Sequence, residues 1–173
     1  DQDINTDIIK KAEVILLEGY LWDEGEPKKA FNKAINSANK VAMSLSDLFC
    51  VERHKAQFLE LVKNKLDIIF ANEQEILSLV ESKSLEDAIN FGKNLNKNMV
   101  ITRGDKGAIA IHKGEIAECD AKKNVDITDL TGAGDLFAAG YLHGMINNMS
   151  VKESLEKGTE LSARIIQKIG ARI

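Results

Sequence analysis

The chain has 173 residues, of which 44% are hydrophobic, and its 23 Lys and Arg against 27 Asp and Glu give a formal charge of −4. This length suits one ordinary domain or part of a larger protein, and the acidic balance argues against a broad nucleic-acid-binding surface. No apolar run approaches the roughly 20 residues that a helix needs to cross a bilayer, so no membrane role is expected.

The first part of the chain alternates between helical and strand patterns. Helices are predicted at residues 3–11, 27–39 and 51–64, and strands at residues 14–20, 41–45 and 66–71. The continuous apolar runs of the strands are typical of parallel strands that are buried on both faces. This alternation predicts a parallel sheet with right-handed crossovers.

Asn72 and Glu75 follow the third predicted strand, at the carboxyl end where open α/β sheets bind their ligands. If a helix begins here, both side chains face the same side of its first turn. An amide oxygen and a carboxylate suit Mg²⁺, which takes oxygen ligands and keeps several waters. The same spacing also forms a capping box, and the spacing alone favours that structural interpretation.

The second part of the chain predicts a hairpin followed by two helices. A helix at residues 84–94 and a strand at 99–102 lead through a glycine-rich turn to strands at 108–112 and 115–119, joined at Lys113 and Gly114. These last strands should form an antiparallel hairpin at the sheet edge. The closing helices are predicted at residues 133–147 and from Ser150 to near Gly170, with Glu153 completing a capping box.

The turn before the first closing helix combines glycines with an acid. Gly132 and Gly134 flank Ala133, and glycine lets backbone N–H groups approach an anion closely. A helix N-terminus attracts phosphate for the same reason. Asp135 is itself an anion, which suggests a base that takes a proton from a hydroxyl. The structural alternative, a first-turn acid favoured by the helix dipole, is the commoner role of an isolated aspartate at this position.

Several other signatures are absent or incomplete. The chain has neither GxxxxGK[ST] nor GxSxG, so a Walker-type P-loop and a serine-hydrolase elbow are excluded. Gly132 and Gly134 begin a dinucleotide fingerprint, but Phe137 takes the place of its third glycine. Cys50 and Cys119 lie far apart without CxxC spacing, which disfavours a zinc site or a disulfide framework and favours reduced thiols in the cytoplasm.

Three segments together resemble the PfkB, or ribokinase-like, family of sugar and nucleoside kinases. Residues 129–140, DLTGAGDLFAAG, resemble the C-terminal signature of that family. Residues 72–75, NEQE, resemble its NxxE motif, and residues 102–107, TRGDKG, resemble its TxGxxG nucleotide loop. The three occur in the family's order, and residues 46–54 with 66–75 are similar to the adenosine-kinase-like branch.

The resemblance implies an α/β fold with a three-layer ribokinase-like (Rossmann-like) sheet, mostly parallel, with an antiparallel hairpin at one edge. It implies an ATP-dependent phosphotransferase that moves the γ-phosphate to a hydroxyl of a sugar or nucleoside. Asp135 would be the catalytic base, and the amides of Gly132, Ala133 and Gly134 would form the anion hole. Phosphoryl transfer depends mainly on positioning and charge neutralisation, so a base and an anion hole are sufficient.

The resemblance also assigns the cofactor sites. Asn72 and Glu75 would organise Mg²⁺ through water, and Asp129 with backbone near Gly170 corresponds to the site of a monovalent cation such as K⁺. The residues that would bind ATP are Asn72, Glu75, Thr102, Gly104, Gly107 and Thr131, with Ala163 and Ile166 closing over the adenine.

The family's N-terminal half, with its acceptor-binding residues and lid, has no counterpart in this sequence. Residues 1–173 are therefore expected to be the single C-terminal nucleotide-binding portion of a larger kinase, which binds ATP weakly alone and does not phosphorylate an acceptor efficiently. Apolar sheet surface left exposed would favour a homodimer. Two alternatives are a catalytically silent nucleotide-binding module and a different α/β fold that uses Asp135 to activate water.

Overall fold

A computed structural model describes residues 1–22 and 24–172. Its helices are α1 Thr6–Lys11, α2 Glu26–Ser37, α3 Leu48–Asn64, α4 Glu73–Val80, α5 Leu85–Leu95, α6 Ala133–Ile146 and α7 Val151–Ile165. Its strands are β1 Ile15–Glu18, β2 Val41–Ser44, β3 Ile68–Asn72, β4 Asn98–Thr102, β5 Ala108–His112 and β6 Glu115–Cys119. No helix within the described part of the chain is both long and apolar enough to cross a membrane.

The six strands form one sheet in the order β1-β2-β3-β4-β5-β6. Strands β1 to β4 are parallel, whereas β5 and β6 are antiparallel to their neighbours. The predicted parallel sheet and edge hairpin are therefore confirmed. Lys113 and Gly114 both have positive φ, 51° and 82°, as a two-residue hairpin turn requires. Because β1 to β4 run in one direction, their carboxyl ends open at the same edge of the sheet.

Some predicted elements are shorter in the structure. The helix predicted from residue 3 begins at Thr6, because the Asn5 side chain accepts hydrogen bonds from the amides of Asp7 and Ile8 and so caps α1. The strand predicted to reach residue 20 ends at Glu18, and Gly19–Leu21 forms a 3₁₀ turn instead. This turn carries Tyr20 over the carboxyl edge of the sheet.

Two hydrophobic cores, one on each face of the sheet, produce three layers. Helices α2 to α5 cover one face and contribute Phe31, Phe58, Ile76 and Ala88, among others, to the larger core. Helices α6 and α7 cover the other face and form the smaller core. Neighbouring strand residues alternate between the cores, as Ile69 and Phe70 do in β3. The predicted three-layer architecture is confirmed.

Helices α6 and α7 lie close together because small residues line their contact. A β-carbon added to Gly140 would lie 2.7 Å from the carbonyl oxygen of Lys157, and one added to Gly158 would lie 2.7 Å from that of Phe137. A β-carbon added to Gly144 would lie 2.6 Å from Ser154 Oγ. The two helix backbones therefore approach each other at distances that larger residues do not permit.

Candidate active site

A cavity of about 500 Å³ opens at the carboxyl edge of the sheet. Ser44 of β2, Asn72 of β3 and Thr102 of β4 line it at the ends of their strands, and Tyr20 lines it from the turn after β1. The N-terminal end of α6 closes the cavity. This is the crevice in which open α/β sheets bind their ligands.

The glycine turn forms one wall of this first cavity. Gly132 has a φ of 79°, which favours glycine, and α6 begins directly after it without a side-chain cap. The amide of Ala133 donates to the carbonyl oxygen of Leu130 at 3.1 Å, so this amide already has an acceptor within the chain. Gly134 and Asp135 lie in the first turn of α6, where backbone amides have no acceptor within the helix. These amides are the ones that can meet an anion.

The carboxyl group of Asp135 belongs to the same wall. Asp135 is exposed and lines the first cavity together with Gly132, Ala133 and Gly134. The side chain is therefore not withdrawn into the protein interior. Its position allows it to meet a hydroxyl group that lies in the cavity beside the glycine turn.

Asn72 and Glu75 form the capping box of α4. The backbone amide of Asn72 donates to Glu75 Oε2 at 2.9 Å, its Nδ2 donates to Glu75 Oε1 at 2.6 Å, and the amide of Glu75 donates to Asn72 Oδ1 at 2.9 Å. Burial raises the pKa of Glu75, and the negative charge of Asp47 raises it further. The hydrogen bond from the backbone amide of Asn72 opposes this rise. Both residues also line the first cavity, so the side chains that cap α4 are the same ones that are predicted to bind a ligand.

A second cavity of about 500 Å³ continues past β4 toward the hairpin. Thr102, Ala133 and Gly134 line both cavities, so the two adjoin along the glycine turn. The structure divides the predicted nucleotide-binding residues between them. Asn72, Glu75 and Thr131 line the first, Gly104, Gly107, Ala163 and Ile166 line the second, and Thr102 lines both.

Gly107 shows why the loop at residues 102–107, which is predicted to bind the nucleotide, requires a glycine. Its φ is 82°, and a β-carbon added to it would lie 2.0 Å from the carbonyl oxygen of Cys119. The loop can therefore pass the end of β6 only without a side chain at this position.

Asp129 ties the segment before α6 to the end of the chain. Its Oδ2 accepts from the amide of Gly170 at 2.8 Å, and its Oδ1 accepts from the amide and the hydroxyl of Thr131 at 2.9 and 2.7 Å. The Gly170 amide, followed by the two donors of Thr131, lowers the pKa of Asp129. The predicted neighbourhood of Asp129 and Gly170 is present, with a direct hydrogen bond between them.

Replacing Asp129 with alanine is expected to loosen this connection. Because the pKa of Asp129 is lower in the folded than in the unfolded protein, its stabilising effect is complete above about pH 4 and is lost as the pH falls through the folded-state pKa. Amide hydrogen exchange at neutral pH should show faster exchange at Thr131 and Gly170 in Asp129→Ala. The exposed Asp126→Ala is the control, and equal protection in both variants would contradict the prediction.

Several residues that line the cavities were not predicted from the sequence. Tyr20, Ser44 and Ser46 line the first cavity, and Thr159 and Ser162 line the second. The carboxyl-end rule that identified Asn72 applies equally to Ser44 and Ser46. Thr159 and Ser162 share a helix face with the predicted Ala163 and Ile166, so helical spacing could have identified them.

Comparison with known proteins identifies the family of this chain. A family model described as pfkB family carbohydrate kinase matches residues 1–173. The chain is 31% identical over 119 residues to a cytidine kinase of Thermococcus kodakarensis, an alignment that covers 67% of the chain and 42% of that relative. The chain therefore spans less than half the length of this curated relative.

Solved structures share the fold of this chain. Adenosine kinase from Sinorhizobium meliloti has a TM-score of 0.95 and 34% identity, covering 99% of the chain and 54% of that protein. An E. coli protein assigned as ribokinase II, in complex with ATP and Mg²⁺, has a TM-score of 0.87 at 18% identity, covering 98% of the chain and 57% of that protein. The ribokinase-like fold is thereby confirmed. With a family match over its whole length and a glycine turn and acid at the carboxyl edge of its sheet, the chain belongs to the pfkB family of carbohydrate kinases.

Proposed function

We propose that the chain is the nucleotide-binding portion of an ATP-dependent phosphotransferase that moves the γ-phosphate to a hydroxyl of a sugar or nucleoside. One observation carries the proposal. Asp135 and the glycine turn share a wall of the first cavity, and the second cavity, which suits a nucleotide, continues from that wall.

The residues that line the two cavities support one orientation of ATP. Ala163 and Ile166 offer an apolar surface for the adenine in the second cavity, while Thr102 and the glycine turn lie where the cavities meet and suit the phosphates. The terminal phosphate then lies beside Asp135. Asp135 takes the proton of the acceptor hydroxyl. The hydroxyl oxygen attacks the γ-phosphorus, and ADP leaves. The first-turn amides stabilise the charge on the transferred group.

The residues present fit a Mg²⁺ ion that is held through water. Each carboxylate oxygen of Glu75 accepts one hydrogen bond from Asn72 and keeps lone-pair capacity for another. Mg²⁺ usually keeps several waters and is held by one or two carboxylates with substrate phosphates. When bound, the ion would neutralise phosphate charge, while Asn72 and Glu75 would orient its waters.

The monovalent cation at Asp129 stays a prediction. The Asp129 carboxylate already accepts three hydrogen bonds, from Gly170 and Thr131. A K⁺ ion would have to use its remaining lone pair together with nearby carbonyl groups. The predicted cytoplasmic location likewise stays a prediction.

The homodimer is also part of the proposal. Strand β1 lies at the end of the sheet, and Leu16, Leu21 and Phe49 are 39%, 58% and 48% exposed. An exposed apolar edge favours association with another surface. Light scattering coupled to size-exclusion chromatography measures this directly, and a monomer at high concentration would contradict it.

Direct transfer measurements test the proposed activity. Incubation with γ-labelled MgATP and adenosine, cytidine, ribose or fructose should give a labelled acceptor, at a low rate in the isolated chain. ATP hydrolysis that does not depend on any acceptor would instead favour a hydrolase. MgATP binding without a labelled product would favour the silent nucleotide-binding module.

Removing Mg²⁺ is expected to weaken ATP binding by at least about tenfold. Without the ion, the negative phosphates of ATP would lie beside the carboxylates of Asp135 and Glu75, and such contact between like charges is strongly unfavourable. Asp135 and Glu75 line the first cavity, and among residues 1–22 and 24–172 no Lys or Arg does; Lys122 lines the second. Isothermal titration with ATP, with and without excess EDTA, measures the effect. Equal affinities in the two titrations would contradict it.

A further inference from the structure

Strands β3 and β4 end side by side at the carboxyl edge of the sheet. Asn72 and Thr102 are register partners at the last positions of these strands, and both line the first cavity. Beyond them the chain diverges, since α4 begins at Glu73 whereas Arg103 leads into residues 104–107. Glu73 and Arg103 are therefore the first residues of two segments that both contribute to the proposed nucleotide site.

An ion pair joins these two segments. Arg103 Nε lies 3.4 Å from Glu73 Oε2, and the two side chains are 19% and 29% exposed. Arg103 Nε is buried and, within the described part of the chain, has no hydrogen-bond partner of good geometry. Burying a cationic group without compensation is costly, so the Glu73 carboxylate is the group that stabilises the guanidinium in this place. Because partial burial reduces screening by solvent, the pair differs from fully exposed ion pairs, whose contribution is small.

Arg103 also closes the loop through its backbone. Its amide donates to the carbonyl oxygen of Gly107 at 2.8 Å, and its carbonyl oxygen accepts from the amide of Lys106 at 3.1 Å. Gly104 and Gly107 line the second cavity, so a displacement of Arg103 would move the loop residues that face the proposed nucleotide. On its other side the loop packs at Gly107 against the carbonyl group of Cys119, so the ion pair and the end of β6 hold it from two directions.

The ion pair lies beside the proposed site rather than in it. Neither Arg103 nor Glu73 lines either of the two cavities. A positioning role for Arg103 and a direct attraction to phosphate predict opposite effects of removing Glu73. A cation that attracts phosphate becomes more effective when the neighbouring carboxylate is lost, so nucleotide binding would then strengthen. A pair that holds the loop fails when either partner is lost, so nucleotide binding would weaken.

We propose that Arg103 and Glu73 are positioning residues, which hold residues 102–107 against the first turn of α4 at the separation that a bound nucleotide requires. The inference rests on the proposed function and adds two residues to its site. Thr102, at one end of the loop, lines both cavities, and Asn72, at the start of α4, lines the first. The phosphates of a nucleotide that spans the two cavities would contact both segments, and holding these segments in place beforehand lowers the free-energy cost of binding.

Single and double variants test the pair. The affinity for MgADP is measured by isothermal titration in Arg103→Met, in Glu73→Gln and in the double variant. Each single variant should bind MgADP about threefold to tenfold more weakly, and the double variant should lose no more than the weaker-binding single variant, because both changes break the same contact. Arg103→Lys keeps a cation on a long side chain and should restore most of the affinity, although its ammonium group lacks the planar shape of the guanidinium.

Two further measurements separate positioning from a general loss of stability. Amide hydrogen exchange should be faster at Lys106 and Gly107 in Arg103→Met, since both amides donate hydrogen bonds within the loop. Urea unfolding shows whether each variant is folded under the conditions of the titration. Lys55→Met and Glu81→Gln are the controls, because each breaks the 3.3 Å ion pair that joins α3 to the C-terminal end of α4. Both controls should bind MgADP as the unchanged chain does.

The outcomes distinguish the inference from the proposed function. Unchanged or tighter MgADP binding by Glu73→Gln, or losses that multiply in the double variant, would overturn the positioning role alone. An equal loss of affinity in the control variants would also overturn it, because the effect would then come from α4 as a whole. Failure of the unchanged chain to bind MgADP would overturn the proposed function, and the inference with it.

Discussion

Replacing Asp135 with asparagine is expected to lower the rate of phosphoryl transfer by about a hundredfold to ten-thousandfold, the usual contribution of a general base. Asparagine has nearly the same shape but cannot accept the proton of the acceptor hydroxyl. Asp135 is exposed at the cavity wall, so the substitution should leave the fold intact. Nucleotide affinity should stay the same or rise, because one negative charge beside the phosphates is removed.

Two measurements check this prediction. Labelled-phosphate transfer gives the rate, and isothermal titration with MgADP gives the affinity. Asp126→Asn makes the same chemical change at an exposed position of the segment that precedes α6. A transfer rate in Asp135→Asn equal to that of this control would exclude Asp135 as the base, and a large loss of MgADP affinity would instead assign it to nucleotide binding.

Replacing Gly140 with valine is expected to lower the free energy of unfolding by about 3 kcal/mol or more, at the upper end of the usual range for overpacking. The β-carbon alone would lie 2.7 Å from the Lys157 carbonyl oxygen and 2.8 Å from the α-carbon of Gly158. Both atoms belong to backbone, which cannot rotate away as a side chain can. Helices α6 and α7 must therefore separate to admit the valine.

The separation of the two helices should also change the proposed nucleotide site. The glycine turn leads into α6, whereas Ala163 lies on α7, and both line the second cavity. Urea unfolding gives the stability and MgADP titration the affinity of Gly140→Val. Ala139→Val, at an exposed position of the same helix, is the control and should cost well under 1 kcal/mol. Equal stability in the two variants would contradict the close packing of the helices.

The local sequence pattern was sufficient to predict most of the helices and strands. The hairpin strands Ala108–His112 and Glu115–Cys119 have the bounds predicted from the sequence, because apolar strand residues flank a two-residue turn. The Ser150 and Glu153 capping box formed as predicted, since its spacing is a property of one helical turn. Boundaries shifted where a side chain intervened, as at Asn5, or where an apolar run continued into a 3₁₀ turn, as at Tyr20.

The alternating α/β order, the edge hairpin and the family follow from the sequence alone, because each depends on neighbouring residues or on a short contiguous signature. Which residues share a cavity depends on the tertiary structure. The sheet order brings Tyr20, Ser46 and Asp135 to one cavity although they lie far apart in the chain. The hydrogen bond from Gly170 to Asp129 and the contact between Gly140 and Gly158 are likewise tertiary. Such proximities follow from how strands pair and helices pack across the whole domain, and the periodicity of one segment contains no information about them.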